Sequence, residues 1–186
     1  MQYSLDNVTV SMFQNLATYL RSIGWNIYWH ASGDTEAFTA GTEQGTITLI
    51  QHVPENPTFI TANNGSYANK DNVVIPAFTV MAQPPRKIRR LGLGHTTFER
   101  EMDLVISGIS TDSRQQSILA SALYEWLDIG DTNYYMPVWD YTIPGSPVSL
   151  DPAEVWFTHV ATHEVASEID STRYQIHIEI ILRFVE

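Results

Sequence analysis

The stretch Ser171–Glu186, STRYQIHIEIILRFVE, alternates almost without fault between apolar and polar residues. Successive side chains on a strand point to opposite faces, so Tyr174, Ile176, Ile178, Ile180, Leu182 and Phe184 share one face. A strand so apolar on one side belongs at the centre of a sheet or at an interface. Upstream, Val155–Val165 alternates as well, with Val155, Phe157 and His159 set against Trp156, Thr158 and Val160. Thr97–Ser107 sets Phe98, Arg100, Met102, Leu104 and Ile106 against Glu99, Glu101 and Asp103. Between these strands, Ile118, Leu119, Ala122, Leu123, Trp126 and Leu127 have the spacing of a helix packed on a sheet. Asp112 or Ser113 can cap that helix, with Gln115 or Gln116 three residues on.

Working back towards the N-terminus, Met12, Phe13, Leu16, Leu20 and Ile23 predict a helix over Ser11–Ile23, with Gly24 at its C-terminal cap. Trp25–Trp29 and Thr46–Ile50 read as strands. Val73–Met81 is a strand broken by Pro76, which argues for an edge or a bulge. Met136–Tyr141 is a short strand bearing Pro137. Long surface loops are expected at about residues 31–45, 54–72 and 83–96. The fold class that follows is mixed α/β (α+β). A single domain over residues 1–186 carries a mostly antiparallel sheet of six to seven strands, with two main helices packed on it.

Composition narrows the function. Ten basic residues against 21 acidic ones give a net charge of −11, which repels nucleic acid at long range. The chain has no cysteine, excluding a disulfide, a thiolate zinc site and a cysteine nucleophile. The opening residues lack the pattern of a signal peptide, and no apolar run reaches membrane-spanning length, so a cytoplasmic site of synthesis is expected.

No constellation for catalysis, cofactor or metal emerges. His159 and His163, four apart on a strand, would lie about 13 Å from each other, too far to share one metal. Glu99, Glu101 and Asp103 repeat at about 6.6–7 Å, the separation of a glycosidase pair, but on one strand they read as a polar face or an inter-subunit salt-bridge ladder. Two candidate contact sites remain. Arg86, Lys87, Arg89 and Arg90 fall between Pro84-Pro85 and a glycine-bearing run, which predicts an exposed loop. Such a loop can be a solvated hairpin tip, a contact for an acidic patch on a neighbouring subunit, or a phosphate contact. Tyr134, Tyr135, Trp139 and Tyr141 form the aromatic cluster nearest to loops, a candidate interface anchor.

Taken together, the helix Ser11–Ile23, the strand Thr97–Ser107, the helix Ser113–Leu127, Pro137-Val138-Trp139-Asp140-Tyr141 and the terminal Arg173–Ile180 resemble the tail-terminator (tail-completion) proteins of long-tailed bacteriophages. The resemblance implies a non-enzymatic virion structural protein, made in the host cytoplasm and located in the tail or neck. It implies a homo-oligomeric ring, usually sixfold, at the end of the tail tube, where it ends tail growth and joins the tail to the head connector. The implied partners are further copies of the chain, the tail tube protein with a sheath as a further neighbour, and the head-tail connector. DNA only passes through the lumen, and no membrane and no cofactor are involved. The alternatives are another neck, head-tail connector or baseplate component, or a small ligand-binding domain.

Overall fold

A computed structural model describes residues 3–31, 34–35, 46–50, 58–61, 72–91, 97–127, 134–142, 146–165 and 173–185. Among the described residues, two helices, α1 (Leu5–Ser22) and α2 (Ser113–Leu127), accompany thirteen strands. These are β1 (Asn26–Ala31), β2 (Asp34–Thr35), β3 (Thr46–Ile50), β4 (Thr58–Thr61), β5 (Asn72–Ile75), β6 (Ala77–Ala82) and β7 (Arg86–Leu91), followed by β8 (Thr97–Ser110), β9 (Tyr134–Met136), β10 (Trp139–Asp140), β11 (Val148–Ser149), β12 (Ala153–Val165) and β13 (Arg173–Val185).

The main sheet runs β2-β1-β3-β6-β8-β13-β12-β9, with β7 also paired to β8. Only β1–β3 and β3–β6 are parallel in it. Seven of its nine strands have five residues or more, so the expected mixed, mostly antiparallel sheet with two helices is what the chain forms. β13 is central, paired with β8 from Tyr174 to Val185 and with β12 along its other side. Its inward row Ile176, Ile178, Ile180, Leu182 and Phe184 is at most 4% exposed. Each such burial is worth about 1.5–3 kcal/mol before entropy is counted.

Both helices join the same core cluster as the inward rows of β3, β6, β8 and β13, with members from Tyr3 to Phe184. The ring of Tyr3 stacks on Phe184 at 4.2 Å, and Tyr19 of α1 stacks on Trp126 of α2 at 6.2 Å. A second, smaller cluster of Ile50, Val73 and Ala77 sits where β4 and β5 form their own two-stranded sheet.

Several elements differ from the sequence expectation. Helix α1 begins six residues early, because Ser4 caps it by accepting from the Asn7 amide. Polar Asp6, Asn7 and Thr9 disguise that first turn, although Val8 is fully buried. Its other end is as expected: Gly24 takes φ 95°, and bonds from Gly24 to Arg21 and from Trp25 to Leu20 make a Schellman motif. In α2 it is Asp112 that caps, accepting from the Gln115 amide. Ile118, expected in the core, is 46% exposed, while Gln116 is buried and donates to the Gln175 carbonyl.

Pro76 divides the expected strand Val73–Met81 into β5 and β6, which lie in different sheets. Pro137 likewise separates β9 from β10. The expected loop 31–45 starts on the last residue of β1 and contains β2, and the loop 54–72 contains β4 and ends on the first residue of β5; their other positions lie outside the described residues. In β12 the register pairs Phe157 with Ile180 but His159 with Glu179, so Thr158 is an extra residue.

Candidate assembly interface

The basic run is not a loop. Arg86–Leu91 is strand β7, which continues the line of β6 along β8 after an interruption at Gln83–Pro85. The Gln83 amide still donates to the Asp103 carbonyl, but Pro84 and Pro85 have no amide to give. The run becomes a strand because β8 offers it opposite charges at matching spacing. Arg86 Nη2 lies 3.2 Å from Glu101 Oε2 and 3.5 Å from Asp103 Oδ1, and Arg89 Nε lies 3.0 Å from Glu99 Oε2. From the other side, Arg183 Nε of β13 donates to Glu101 Oε1 at 2.7 Å.

The carboxylate stripe of β8 is thus a salt-bridge ladder, but its cations come from the same chain rather than from a neighbouring subunit. Glu101 is its hub: it is 8% exposed, on the face of β8 opposite the row Met102, Leu104 and Ile106 that joins both helices in the core. Two arginines close over it, which is how a carboxylate can be buried without losing its charge partners. Arg86 and Arg89 keep 62% and 68% of their side chains exposed. Lys87 Nζ sits 3.9 Å over the Phe98 ring, a cation–π contact.

The aromatic candidates divide. Tyr134 and Tyr135 belong to β9, and Tyr135 is 52% exposed. Trp139 and Tyr141 lie on the next segment and are half-buried. Burial raises the Tyr141 phenol above its ordinary range, offset in part by a hydrogen bond with Ser11. The register Arg86–Glu101–Arg183–Glu154–Tyr135 crosses five strands, so the basic strand and β9 lie at one end of the sheet, about 19 Å apart.

What holds the aromatic segment is a set of polar residues that sequence reading passed over. Asn15 donates to the Pro137 carbonyl, Ser11 Oγ accepts from the Trp139 amide, and Asn7 Oδ1 accepts from the Tyr141 amide. Asn7 also donates to Asp140 Oδ1. Four helical residues rise about 6 Å and two strand residues about 6.6–6.8 Å, so positions 7, 11 and 15 match 141, 139 and 137 in turn. The signal was legible as three polar side chains at i, i+4 and i+8 of an otherwise buried helix face.

The chain matches no family model, and no curated protein matches it. Among the described residues, no group of His, Asp or Glu is arranged to hold a metal ion, and no helix is long and apolar enough to cross a membrane. A groove of about 430 Å³ opens between the end of α1 and α2, lined by Ile23, Ile118, Ala122, Ser117, Ser121 and Glu125. It lies open to solvent, unlike a pocket that encloses most of a small ligand.

Besides the short terminal strands β2 and β9 and the part of β1 that β2 does not cover, two edges beside the long strands have no described partner. β9 covers only Ala153–Val155 of β12, leaving the outer edge from Trp156 to Val165. β3 covers only Ala77–Thr79 of β6, leaving the outer edge of β7. These two edges, with the charged face of β8 between them, are the candidate contact surfaces among the described residues.

Proposed function

We propose that this protein is a non-enzymatic virion component that forms a ring at the end of a phage tail tube, ends tube growth and joins the tail to the head connector. The reading starts from the resemblance carried by both helices, Thr97–Ser107, Pro137–Tyr141 and the terminal strand. The observation that supports it most is the pair of unlike strand edges on opposite sides of one sheet. A ring needs heterologous contacts, one surface meeting a different surface on the next copy, and the rotation must close. The long strands β8, β13 and β12 supply a stiff wall for such a ring. The net charge of −11 suits a lumen through which DNA slides without sticking.

The test is native mass spectrometry of the purified protein over a concentration range, with and without magnesium, followed by electron microscopy of the protein added to tail tubes. A closed ring, sixfold above all, and its presence at the head-proximal end of tubes are the expected results. Decoration of the opposite end would transfer the protein to the baseplate. A monomer at every concentration that also leaves tubes bare would refute the ring.

A further inference from the structure

We propose that β7 of one copy docks antiparallel on the outer edge of β12 of the next, so that the sheet continues from subunit to subunit. This rests on the ring reading above and names the two surfaces that close it. Trp156–Val165 contains no Lys, Arg, Pro or Gly, the residues with which proteins guard an edge against unwanted pairing. β7 is the opposite case. Its register shifts at Ile88, and its exposed Arg86, Lys87 and Arg89 would repel a second β7.

An edge guarded in this way still accepts a strand without cations. β12 and its approach carry Asp151, Glu154 and Glu164 and no Lys or Arg; Glu164 lies on the free edge, and Glu154 on the part that β9 covers. Elsewhere the basic residues are scattered singly, as Arg21, Lys70, Arg100, Arg114, Arg173 and Arg183, so β7 is where an edge that holds one acid and no Lys or Arg finds concentrated positive charge. Electrostatic matching of this kind selects partner and register more than it adds affinity.

Strand directions agree with the pairing. β8 and β12 run one way, β13 and β7 the other. Rotation about an axis along the strands therefore brings the neighbour's β7 antiparallel to β12, continuing the alternation. The edges are also staggered: β7 pairs with Thr97–Glu101, whereas Trp156–Glu164 lies across β13 from Asp103–Ser110. A fixed stagger between tilted strands is what closure of a sheet on itself requires.

The absence of cysteine makes the test direct. Opposed residues on antiparallel strands sit about 4.5–5.5 Å apart, within disulfide reach. Lys87→Cys is combined in turn with Thr158→Cys, Ala161→Cys and Thr162→Cys, to cover the register, and each protein is mildly oxidised while native mass spectrometry follows its assembly. We expect a ladder of covalent multimers from at least one double variant and none from the single variants. In parallel, Lys87→Glu should raise the concentration for half-assembly by about tenfold or more. Rings that form normally without any cross-linked ladder would overturn the β7–β12 contact and leave the ring standing. Covalent dimers from a β12 single variant would overturn it in favour of β12 pairing with itself. No oligomer, alone or on tail tubes, would overturn both.

Discussion

Gly108 and Phe78 face each other across β8 and β6, and the pair shows how narrowly this core is filled. A Cβ at Gly108 would lie 2.2 Å from Phe78 Cε1 and 2.5 Å from Cδ1, closer than any real contact. Phe78 is 1% exposed, so its ring has nowhere to retreat. Gly108→Ala should therefore destabilise by about 1–3 kcal/mol, read from urea denaturation, and Phe78→Leu in the same chain should recover part of it. Glu101 is the second residue of this kind. Glu101→Gln, which leaves Arg86 and Arg183 facing a neutral group, should cost about 1–3 kcal/mol. Arg86→Ala should stay within about 1 kcal/mol, since that side chain is mostly solvated. Thermal melts of the two variants measure the contrast directly.

At the scale of elements, the joint between α1 and residues 137–141 stands out because it is polar and buried. Ser11 is fully buried and supplies the acceptor for the Trp139 amide. Ser11→Ala leaves that amide without it and should cost about 1–2 kcal/mol, with faster hydrogen exchange at Trp139 as the local signature. The same joint contains a pH-sensitive group. Hydrogen bonds from the Thr142 hydroxyl and amide, and from Asn7, hold the Asp140 carboxyl below its ordinary value of 3.8. A carboxylate with a lowered folded pKa contributes stability above the unfolded value, and that contribution is lost as pH falls through the lowered one. The gap in urea midpoint between the protein and Asp140→Asn should thus be constant near neutrality and close below pH 3.8. Asp112, lowered chiefly by the Gln115 amide at the start of α2, should behave in the same way.

For the whole molecule, charge is the property with the longest reach. A surface of net −11 carries one basic strand, and two of that strand's arginines are engaged by Glu99, Glu101 and Asp103. Duplex DNA should therefore not be retained in a mobility-shift titration at about 0.15 M salt, where long-range attraction is already screened. Retention at that salt would mean that β7 reaches phosphates, and would count against a lumen through which DNA passes freely. A ring built through β7 should instead fall apart as salt is raised, while the fold of each subunit holds.

Much of this chain was legible from period alone. The alternation of Thr97–Ser107 and of Ser171–Glu186 determined two long strands and which face of each is apolar, because a buried face tolerates one register only. The stripe through Leu119, Leu123 and Trp126 determined α2, and the missing cysteines removed whole classes of chemistry. What local pattern cannot carry is partnership between distant residues. Arg86–Arg90 reads as a loop by its charge and its prolines, and becomes a strand only because Glu99, Glu101 and Asp103 lie alongside. Asn7, Ser11 and Asn15 read as breaks in an apolar face, until residues 137–141 arrive to receive them. Thr158 turns the phase of β12 by a bulge that its own alternation hides. In each case the deciding free energy is a contact made across ten or more residues of chain, and only the tertiary structure brings its two halves together.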